Sequence, residues 1–254
     1  MPGPDREPSA RATDEPLVAV VAGAAGGIGA AVAERLVRRG MRVVAMDVDA
    51  ERLHAACGEG AAALHPLVVD VTDPAAIERA AEDVATALGP AAILVSSAGV
   101  FARTPALEPA HAMRHVLSVN LEGAVHLTRS FGAQMARRRY GRIVHVASIA
   151  ASTGAAAASV YAASKAGLVA LTRSHARELA AHGIAVNAVL PGYTRTAMTA
   201  ADEGMLDVFV VPRIPLKRLA MPDEIAEVVE LLATCATPYL TGAAIEIDGG
   251  LHVG

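Results

Sequence analysis

Residues 17–29 of the chain read LVAVVAGAAGGIG, an apolar run that leads directly into a glycine-rich turn. The run at 17–21 predicts a β-strand, and the helical spacing over 29–39 predicts a helix that stops at Gly40. Glycines in such a turn let the backbone approach a pyrophosphate closely, and the N-terminus of the following helix offers free N–H groups. The stretch therefore favours a nucleotide-binding unit, with a tight turn that binds nothing as the alternative.

The rest of the chain alternates apolar runs of strand length with stretches of helical period, which is typical of parallel βαβ units. The predicted strands are 17–21, 42–46, 64–69, 91–95, 142–147, 184–190 and 243–247. The predicted helices are 29–39, 74–88, 111–138, 160–182 and 222–234. No linker divides the chain, so we expect one α/β domain over 17–254, a doubly wound, Rossmann-like parallel sheet in three α/β/α layers. Residues 1–16 are expected to form a disordered lead-in.

Composition narrows the choice of partners and of compartment. The chain has 254 residues and a net charge of −4, which gives no reason to expect nucleic acid or an anionic membrane surface as a partner. No stretch has the length of a transmembrane helix, and residues 1–16 lack the apolar core of a signal peptide. Cys57 and Cys235 lie far apart and form no ligand cluster, so we expect reduced thiols, no metal site and a cytoplasmic protein.

An acidic residue ends the second predicted strand. Asp47 follows Gly29 by eighteen residues, where a carboxylate accepts hydrogen bonds from both ribose hydroxyls of an adenosine and repels a 2′-phosphate. No arginine or lysine lies inside the glycine turn or directly after Asp47, so we expect NAD as the cofactor rather than NADP. The alternative is that Asp47 caps a helix that begins near Asp49.

A second acidic residue ends the third strand. Asp70 and Val71 stand where an adenine ring would lie in a doubly wound sheet. A helix cap before Pro74 explains Asp70 equally well, and the two roles are compatible.

Tyr161 and Lys165 lie four residues apart on a predicted helix, which places them on one face. The chain has only two lysines, Lys165 and Lys217, although arginine occurs throughout. A lysine kept at this position indicates a compact ammonium that a guanidinium cannot replace. A positive charge beside a phenol favours the phenolate, as a general acid/base working near neutral pH requires. Ser148 ends an apolar run upstream.

Taken in order, these motifs resemble those of the short-chain dehydrogenases/reductases of the compact, single-domain type. The resemblance covers about residues 17–250, nearly the whole chain. The matching positions are the turn at 22–29, Ser96-Ser97-Ala98-Gly99, Asn120, Ser148, Tyr161, Lys165, the segment Pro191-Gly192-Tyr193-Thr194-Arg195-Thr196, and Asp248-Gly249-Gly250.

The resemblance implies an NAD-dependent oxidoreductase that interconverts a secondary alcohol and a ketone on a hydrophobic small molecule. Tyr161 would exchange a proton with the substrate oxygen, which Ser148 would position. Lys165 would hold the nicotinamide ribose and, with the charge of the oxidised nicotinamide, lower the pKa of Tyr161. A shift of about three units requires about 4 kcal/mol. Asn120 would hold a water that relays protons to Lys165, unless it only bonds its own helix backbone.

The resemblance also implies a set of cofactor contacts, among which Thr196 would hold the carboxamide. The implied cofactor-binding residues are Gly23, Gly26, Gly27, Ile28, Gly29, Asp47, Val48, Asp70, Val71, Ser97, Ala98, Gly99, Tyr161, Lys165, Pro191, Gly192, Thr194 and Thr196. Three positions depart from the family pattern, which has threonine at Ala22 and asparagines at Ser96 and Ser97. Because these positions join the first and fourth strands in relatives, we expect a local repacking there.

Residues 193–221 match the mobile lid that covers the substrate in relatives. Its side chains include Met198, Met205, Leu206, Val208 and Phe209. These residues suit a hydrophobic alcohol or ketone, but packing against a neighbouring subunit is the open alternative. The surplus apolar surface of the two long helices implies a homotetramer.

Three other functions stay open at this point. An NADP-dependent 3-oxoacyl-type ketoreductase uses the same groups. An epimerase or dehydratase would also use them, but such relatives usually carry a further substrate domain. A non-catalytic nucleotide-sensing module would not need Ser148, Tyr161 and Lys165 together.

Overall fold

The computed structural model describes residues 16–58, 63–109, 111–200 and 203–252. The lead-in expected at residues 1–16 lies, except for Pro16, outside the described residues.

Seven parallel strands form one sheet in the order β3-β2-β1-β4-β5-β6-β7. The strands are β1 Val18–Ala22, β2 Arg42–Asp47, β3 Leu64–Val68, β4 Ala91–Ser96, β5 Gly141–Val146, β6 Ile184–Pro191 and β7 Ala244–Ile247. The main helices are α1 Gly27–Arg38, α2 Ala50–Cys57, α3 Pro74–Ala87, α4 Met113–Leu117, α5 Gly123–Arg138, α6 Ala150–Thr153, α7 Ser159–Leu179, α8 Ala197–Ala200, α9 Glu203–Phe209 and α10 Pro222–Thr234. The predicted doubly wound fold is confirmed.

Both faces of the sheet are buried, as expected for parallel strands covered by helices. Side chains alternate along β1, so that Ala19 and Val21 enter one core while Val18 and Val20 enter the other. Helices α1 and α10 cover the first core, and α3 and α5 cover the second. The central strands are apolar on both sides because neither of their faces meets water, whereas β3 leaves Pro66 and Val68 exposed.

The order of the strands reverses between β1 and β4, which creates a crevice above their carboxyl ends. The turn after β1 and the segment after β4 both open into this crevice. Strand β3 lies at one edge of the sheet and contains Pro66, whose missing N–H is tolerated at an edge.

The long helix predicted at 111–138 differs from the observed one in two respects. It begins at Met113, and it contains a π-helical turn at Ser118–Glu122 between α4 and α5. Such single wide turns are rare and occur frequently at functional sites. The buried side chain of Asn120 projects from this turn.

Within the described part of the chain, no helix combines the length and the apolar character needed to cross a membrane.

Two imidazoles lie beneath the helices that cover β5. His145 is fully buried, and neither of its ring nitrogens has a hydrogen-bond partner. The ring of His175 on α7 lies 6.4 Å away, centroid to centroid. Burial, helped by the charges of His175 and Lys165, lowers the pKa of His145 to about 3. His145 is therefore neutral in the folded protein near neutral pH.

We expect this histidine to weaken the fold in acid. Because the folded-state pKa lies below that of an unfolded histidine, the unfolded chain binds the extra proton as the pH falls below about 6.5, and about 3 kcal/mol of stability is lost by pH 4. His145→Leu should flatten the dependence of the free energy of unfolding on pH between 6.5 and 4, measured by urea denaturation. His111→Gln, a change to an exposed imidazole, is the control, and equal slopes in wild type and His145→Leu would contradict the assignment.

Candidate active site

The glycine turn after β1 is held closed by β2. The backbone N–H groups of Gly23 and Ala24 donate to the carbonyl of Met46, at 2.8 and 3.0 Å. Asp47 completes the closure, because its Oδ2 accepts from the N–H of Ala25 at 3.0 Å and its Oδ1 from that of Asp49 at 3.1 Å. The Asp47 carboxylate thus lies at the rim of the turn, where the ribose contact was expected.

Asp49, and not Asp47, caps α2, since its Oδ1 accepts from the N–H of Arg52 at 3.0 Å. The alternative that Asp47 is merely a helix cap is therefore wrong. The fold also brings Arg52 back to the turn, where its Nη2 lies 3.5 Å from the carbonyl oxygen of Ala25. The sequence prediction considered only cations adjacent to the turn or to Asp47. Arg52, in the first turn of α2 and five residues after Asp47, brings a cation to the turn from further along the chain.

The turn also packs closely against the end of β4. Gly23 has a φ of +84°, and a Cβ there would lie 2.5 Å from the Ala98 nitrogen; one on Gly29 would lie 2.1 Å from the Gly23 oxygen. The N–H of Ser97 donates to the carbonyl of Ala22 at 2.9 Å. A main-chain bond thus joins β1 and β4 at the position where the sequence departs from the family pattern.

Asp70 lies just after β3, and its side chain has a different local role from that of Asp47. Its Oδ1 accepts from both the N–H and the hydroxyl of Thr72, each at 2.8 Å. Asp73 is the residue that caps α3, through the N–H groups of Ala75 and Ala76. The idea that Asp70 is the helix cap before Pro74 is wrong, and its exposed carboxylate shapes a turn at the nucleotide edge.

Ser148, Tyr161 and Lys165 come together after the carboxyl end of β5. Ser148 lies close enough to Tyr161 for its hydroxyl to lower the pKa of that phenol. The Nζ atom of Lys165 lies 5.8 Å from the centre of the Tyr161 ring and donates to the carbonyl of Val146 at 2.9 Å. Lys165 is buried within α7, with 4% of its surface exposed. The predicted proximity of ammonium and phenol is confirmed.

The pKa shifts of this group differ from the sequence expectation. Burial raises the pKa of Tyr161, and the nearby Ser148 hydroxyl only partly opposes this. Burial also lowers the pKa of Lys165 to about 8. The expected lowering of the Tyr161 pKa by Lys165 is therefore not produced by the protein alone. Both shifts have one cause, because a dry environment penalises the charged form of either group.

Asn120 bonds to a neighbouring segment and not to its own helix. Its Oδ1 accepts from the N–H of Val100 at 2.8 Å, and its Nδ2 donates to the carbonyl of Val100 at 3.0 Å and to Ser164 Oγ at 3.0 Å. The Ser164 hydroxyl in turn donates to the carbonyl of Tyr161 at 2.7 Å. Sequence reasoning missed Ser164, although its place directly before Lys165 was a usable signal.

Gly99 separates the amide of Asn120 from the ammonium of Lys165. A Cβ on Gly99 would lie 3.2 Å from Lys165 Nζ and 3.5 Å from Asn120 Oδ1. The two polar groups therefore face the same short piece of backbone, which has space only because residue 99 has no side chain.

The segment after β6 folds over the glycine turn. Pro191 ends β6, and Gly192 lies against Asp248, whose Cα would be 2.8 Å from a Cβ at position 192. The Thr196 methyl carbon would lie 3.0 Å from a Cβ on Gly27. Thr194 is buried and its hydroxyl donates to the carbonyl of Gly192 at 3.2 Å. The structure thus brings Thr196 to the nucleotide turn, whereas Val48 on the other side is 64% exposed.

The segment expected to be a lid has a small core of its own. Leu206 packs with Ile214 and Leu219, so it faces neither a substrate nor a subunit. The other apolar side chains of this segment remain partly exposed, namely Tyr193, Met198, Met205, Val208, Phe209 and Leu216.

In 16–58, 63–109, 111–200 and 203–252, no three His, Cys, Asp or Glu residues are grouped so as to hold a metal ion.

The crevice fits a nicotinamide dinucleotide on its own geometry. Gly23 and Gly29 let the turn fold tightly, because a Cβ on either would meet the protein's own backbone. The turn leads into the N-terminus of α1, where backbone N–H groups favour a pyrophosphate. Asp47 stands at the ribose end, and Lys165 with Tyr161 at the opposite end.

Comparison with known proteins agrees with this arrangement. A family model described as enoyl-(acyl carrier protein) reductase matches residues 23–252. The 3-oxoacyl-[acyl-carrier-protein] reductase FabG of Escherichia coli (strain K12) is 33% identical over 240 residues, which cover 94% of this chain and 98% of the relative.

Two solved structures extend the comparison. A short-chain type dehydrogenase/reductase from Mycobacterium marinum has a TM-score of 0.89 and 30% identity, covering 94% of this chain and 97% of that chain. A candidate NAD(P)-dependent gluconate 5-dehydrogenase from Beutenbergia cavernae, with bound NADP at low occupancy, has a TM-score of 0.86 and 36% identity, covering 95% and 99%.

Proposed function

The chain belongs to the short-chain dehydrogenase/reductase family of oxidoreductases that act on CH–OH and ketone groups, and we propose that it is a ketoreductase for 3-oxoacyl-type substrates with an apolar chain. The observation that carries the proposal is the Tyr161 phenol beside the buried ammonium of Lys165, with Ser148 close to the same hydroxyl. The similarity to FabG supports this substrate class over the unspecified secondary alcohol expected from the sequence.

The protonation states of the site suit reduction. Because burial raises the pKa of Tyr161, the phenol carries its proton at neutral pH and donates it to a carbonyl oxygen that gains negative charge. The Ser148 hydroxyl stabilises the same oxygen. A bound reduced nicotinamide would supply the hydride.

Lys165 provides the charge that makes this proton transfer favourable. Below its pKa of about 8 the ammonium is charged, and it lies close enough to stabilise a phenolate once the proton has left. Its bond to the carbonyl of Val146 fixes its position, and we assign its remaining N–H groups to the nicotinamide ribose. We propose that the proton lost by Tyr161 is replaced from water through the polar groups next to Gly99 and Asn120.

For the cofactor we propose NAD in preference to NADP. The carboxylate of Asp47 occupies the ribose end of the turn, where it would accept from the 2′-hydroxyl and repel a 2′-phosphate. Arg52 is the opposing group, because its guanidinium lies at the same turn and a phosphate would pair with it. The related Beutenbergia cavernae protein contains bound NADP at low occupancy, so the test of this proposal compares both dinucleotides.

We further propose a cytoplasmic homotetramer. Strand β7 is the last strand in the order of the sheet, and α7 exposes the small side chains Ala163, Ala166 and Ala170, which permit close packing of a second copy. Cys57 and Cys235 are free thiols, as expected in a reducing compartment. Sedimentation velocity tests the homotetramer, and a monomer in solution would contradict it. Cell fractionation tests the cytoplasmic location.

Removal of the Tyr161 hydroxyl tests the reaction directly. Tyr161→Phe should lower kcat for reduction of a 3-oxoacyl N-acetylcysteamine thioester about 10²–10⁴-fold, because the general acid is lost. Dinucleotide affinity, measured by fluorescence titration, should stay within about threefold of wild type. If the variant retained full activity, or if the wild type consumed no reduced dinucleotide with these thioesters, the proposal would fail.

Cofactor preference is tested by two variants at the same turn. Asp47→Ala should raise kcat/KM for NADPH relative to NADH about tenfold or more, and adding Val48→Arg should raise it further, because a repulsive charge is replaced by an attractive one. Arg52→Ala is the matched control and should change the ratio in the opposite direction or not at all. A wild-type enzyme that already prefers NADPH, with a ratio that collapses in Arg52→Ala, would reverse the assignment.

A further inference from the structure

The five residues 100–104, which follow the β4 motif, are fixed at both ends. At one end Asn120 bonds to both the N–H and the carbonyl of Val100. At the other end Thr104 forms an isolated β-bridge with Ala158, and its N–H donates to the carbonyl of Ala157 at 2.7 Å. The hydroxyl of buried Thr104 also accepts from the N–H of Val160 at 3.1 Å. The segment is thus tied to the start of the helix that carries Tyr161.

Between these two attachments the ring of Phe101 contacts the ring of Tyr161. The centroids lie 5.2 Å apart at an interplanar angle of 68°, an edge-to-face arrangement, which is a favoured geometry for aromatic pairs. Phe101 is nevertheless 45% exposed. One part of the ring therefore covers the phenol while the rest is open at the carboxyl ends of the strands.

The segment that precedes α7 offers no comparable bulk. Residues 150–158 read AASTGAAAA and contain nothing larger than threonine. Their backbone includes Ala157 at a φ of +57°, a left-handed conformation that costs an alanine free energy and persists only where the surroundings impose it. Here the bond from the N–H of Thr104 to the carbonyl of Ala157 helps to impose it. Phe101 is therefore the large apolar surface that 100–104 and 150–158 present beside the phenol.

We propose that Phe101 is a positioning and specificity-determining residue, which holds the Tyr161 ring by edge-to-face contact and forms the wall against which the apolar chain of the ketone packs. This inference rests on the proposed ketoreductase function. Polyhydroxylated substrates, such as sugar acids, are disfavoured at this wall because their hydroxyls would lose water without gaining hydrogen-bond partners. Phe101 lies in the segment 100–104, and the bonds of Val100 and Thr104 fix the position of that segment.

The two roles have separable consequences. As a wall, Phe101 affects KM for ketones with long chains more than for those with short ones. As a cover for Tyr161, it contributes to the burial that raises the pKa of that phenol. Its removal should let water reach the hydroxyl and return the pKa of Tyr161 toward its ordinary value. An ultraviolet titration of the phenol measures this directly, because loss of the Lys165 charge near pH 8 comes first in the alkaline pH profile of activity.

The test uses the full-length protein with NADH and the N-acetylcysteamine thioesters of 3-oxobutanoic and 3-oxooctanoic acids, with 5-ketogluconate as the polar competitor. In wild type, kcat/KM should follow the order 3-oxooctanoyl, 3-oxobutanoyl, 5-ketogluconate. Phe101→Ala should reduce the preference for the longer thioester about tenfold, mainly through KM, and lower the pKa of Tyr161 in the ultraviolet titration. Phe101→Leu should keep most of the chain preference but show the lowered pKa of Tyr161, since it retains apolar bulk and lacks the ring.

Leu107→Ala is the matched control, because Leu107 is a fully exposed apolar residue six positions further on. It should leave the chain preference and the pKa of Tyr161 unchanged. The inference is overturned if Phe101→Ala and Phe101→Leu leave both readouts at wild-type values, or if Leu107→Ala changes them equally. A wild type that reduces 5-ketogluconate better than either thioester also overturns it, whereas a wild type inactive on all three ketones refutes the proposed function itself.

Discussion

The hydrogen bond from the buried ammonium of Lys165 to the carbonyl of Val146 is the contact on which the site depends. It ties α7, which carries Tyr161, to the carboxyl end of β5, which leads into Ser148. A buried ammonium needs partners to offset its lost hydration, and the protein provides this one through backbone that no substitution can remove. The crevice between β1 and β4 then places the dinucleotide end of the site alongside, so that one sheet edge holds both halves of the reaction.

Burial disfavours the charged forms of both Lys165 and Tyr161, although the reaction uses a charged lysine and, in one direction, a phenolate. The same dry environment lowers the pKa of Lys165 and raises that of Tyr161, so both groups are shifted toward their neutral forms. A protonated phenol suits the reduction of a ketone. The reverse reaction needs a phenolate, and the positive ring of an oxidised nicotinamide is the further charge that would favour it. In this account the site is a proton donor when free and becomes a proton acceptor only when the oxidised cofactor is bound.

Much of this architecture follows from local patterns, and the rest depends on distant contacts. The seven strands could be predicted because buried parallel strands are continuous apolar runs, and the glycine turn because only glycine permits the approach at Gly23 and Gly29. The spacing of Tyr161 and Lys165 correctly predicted their proximity. The lowered pKa of Tyr161 was predicted for Lys165 acting together with an oxidised nicotinamide, and it stays a prediction. In the protein alone burial raises this pKa, because spacing reveals a nearby charge but not the extent of burial. The π-turn at Asn120, the return of Arg52 to the glycine turn and the contact of Phe101 with Tyr161 have no signature in sequence, since each joins residues that the fold alone brings together.

The most direct test of the account is a spectrophotometric titration of the Tyr161 phenol, taken as the ultraviolet difference between wild type and Tyr161→Phe, with and without saturating oxidised dinucleotide. The chain contains four tyrosines and no tryptophan, so the difference isolates one ionisation. We expect a pKa above the ordinary value near 10 in the free protein and a pKa below it in the complex. An unchanged pKa on addition of the dinucleotide would contradict the central claim that Lys165 and the cofactor act together on this hydroxyl.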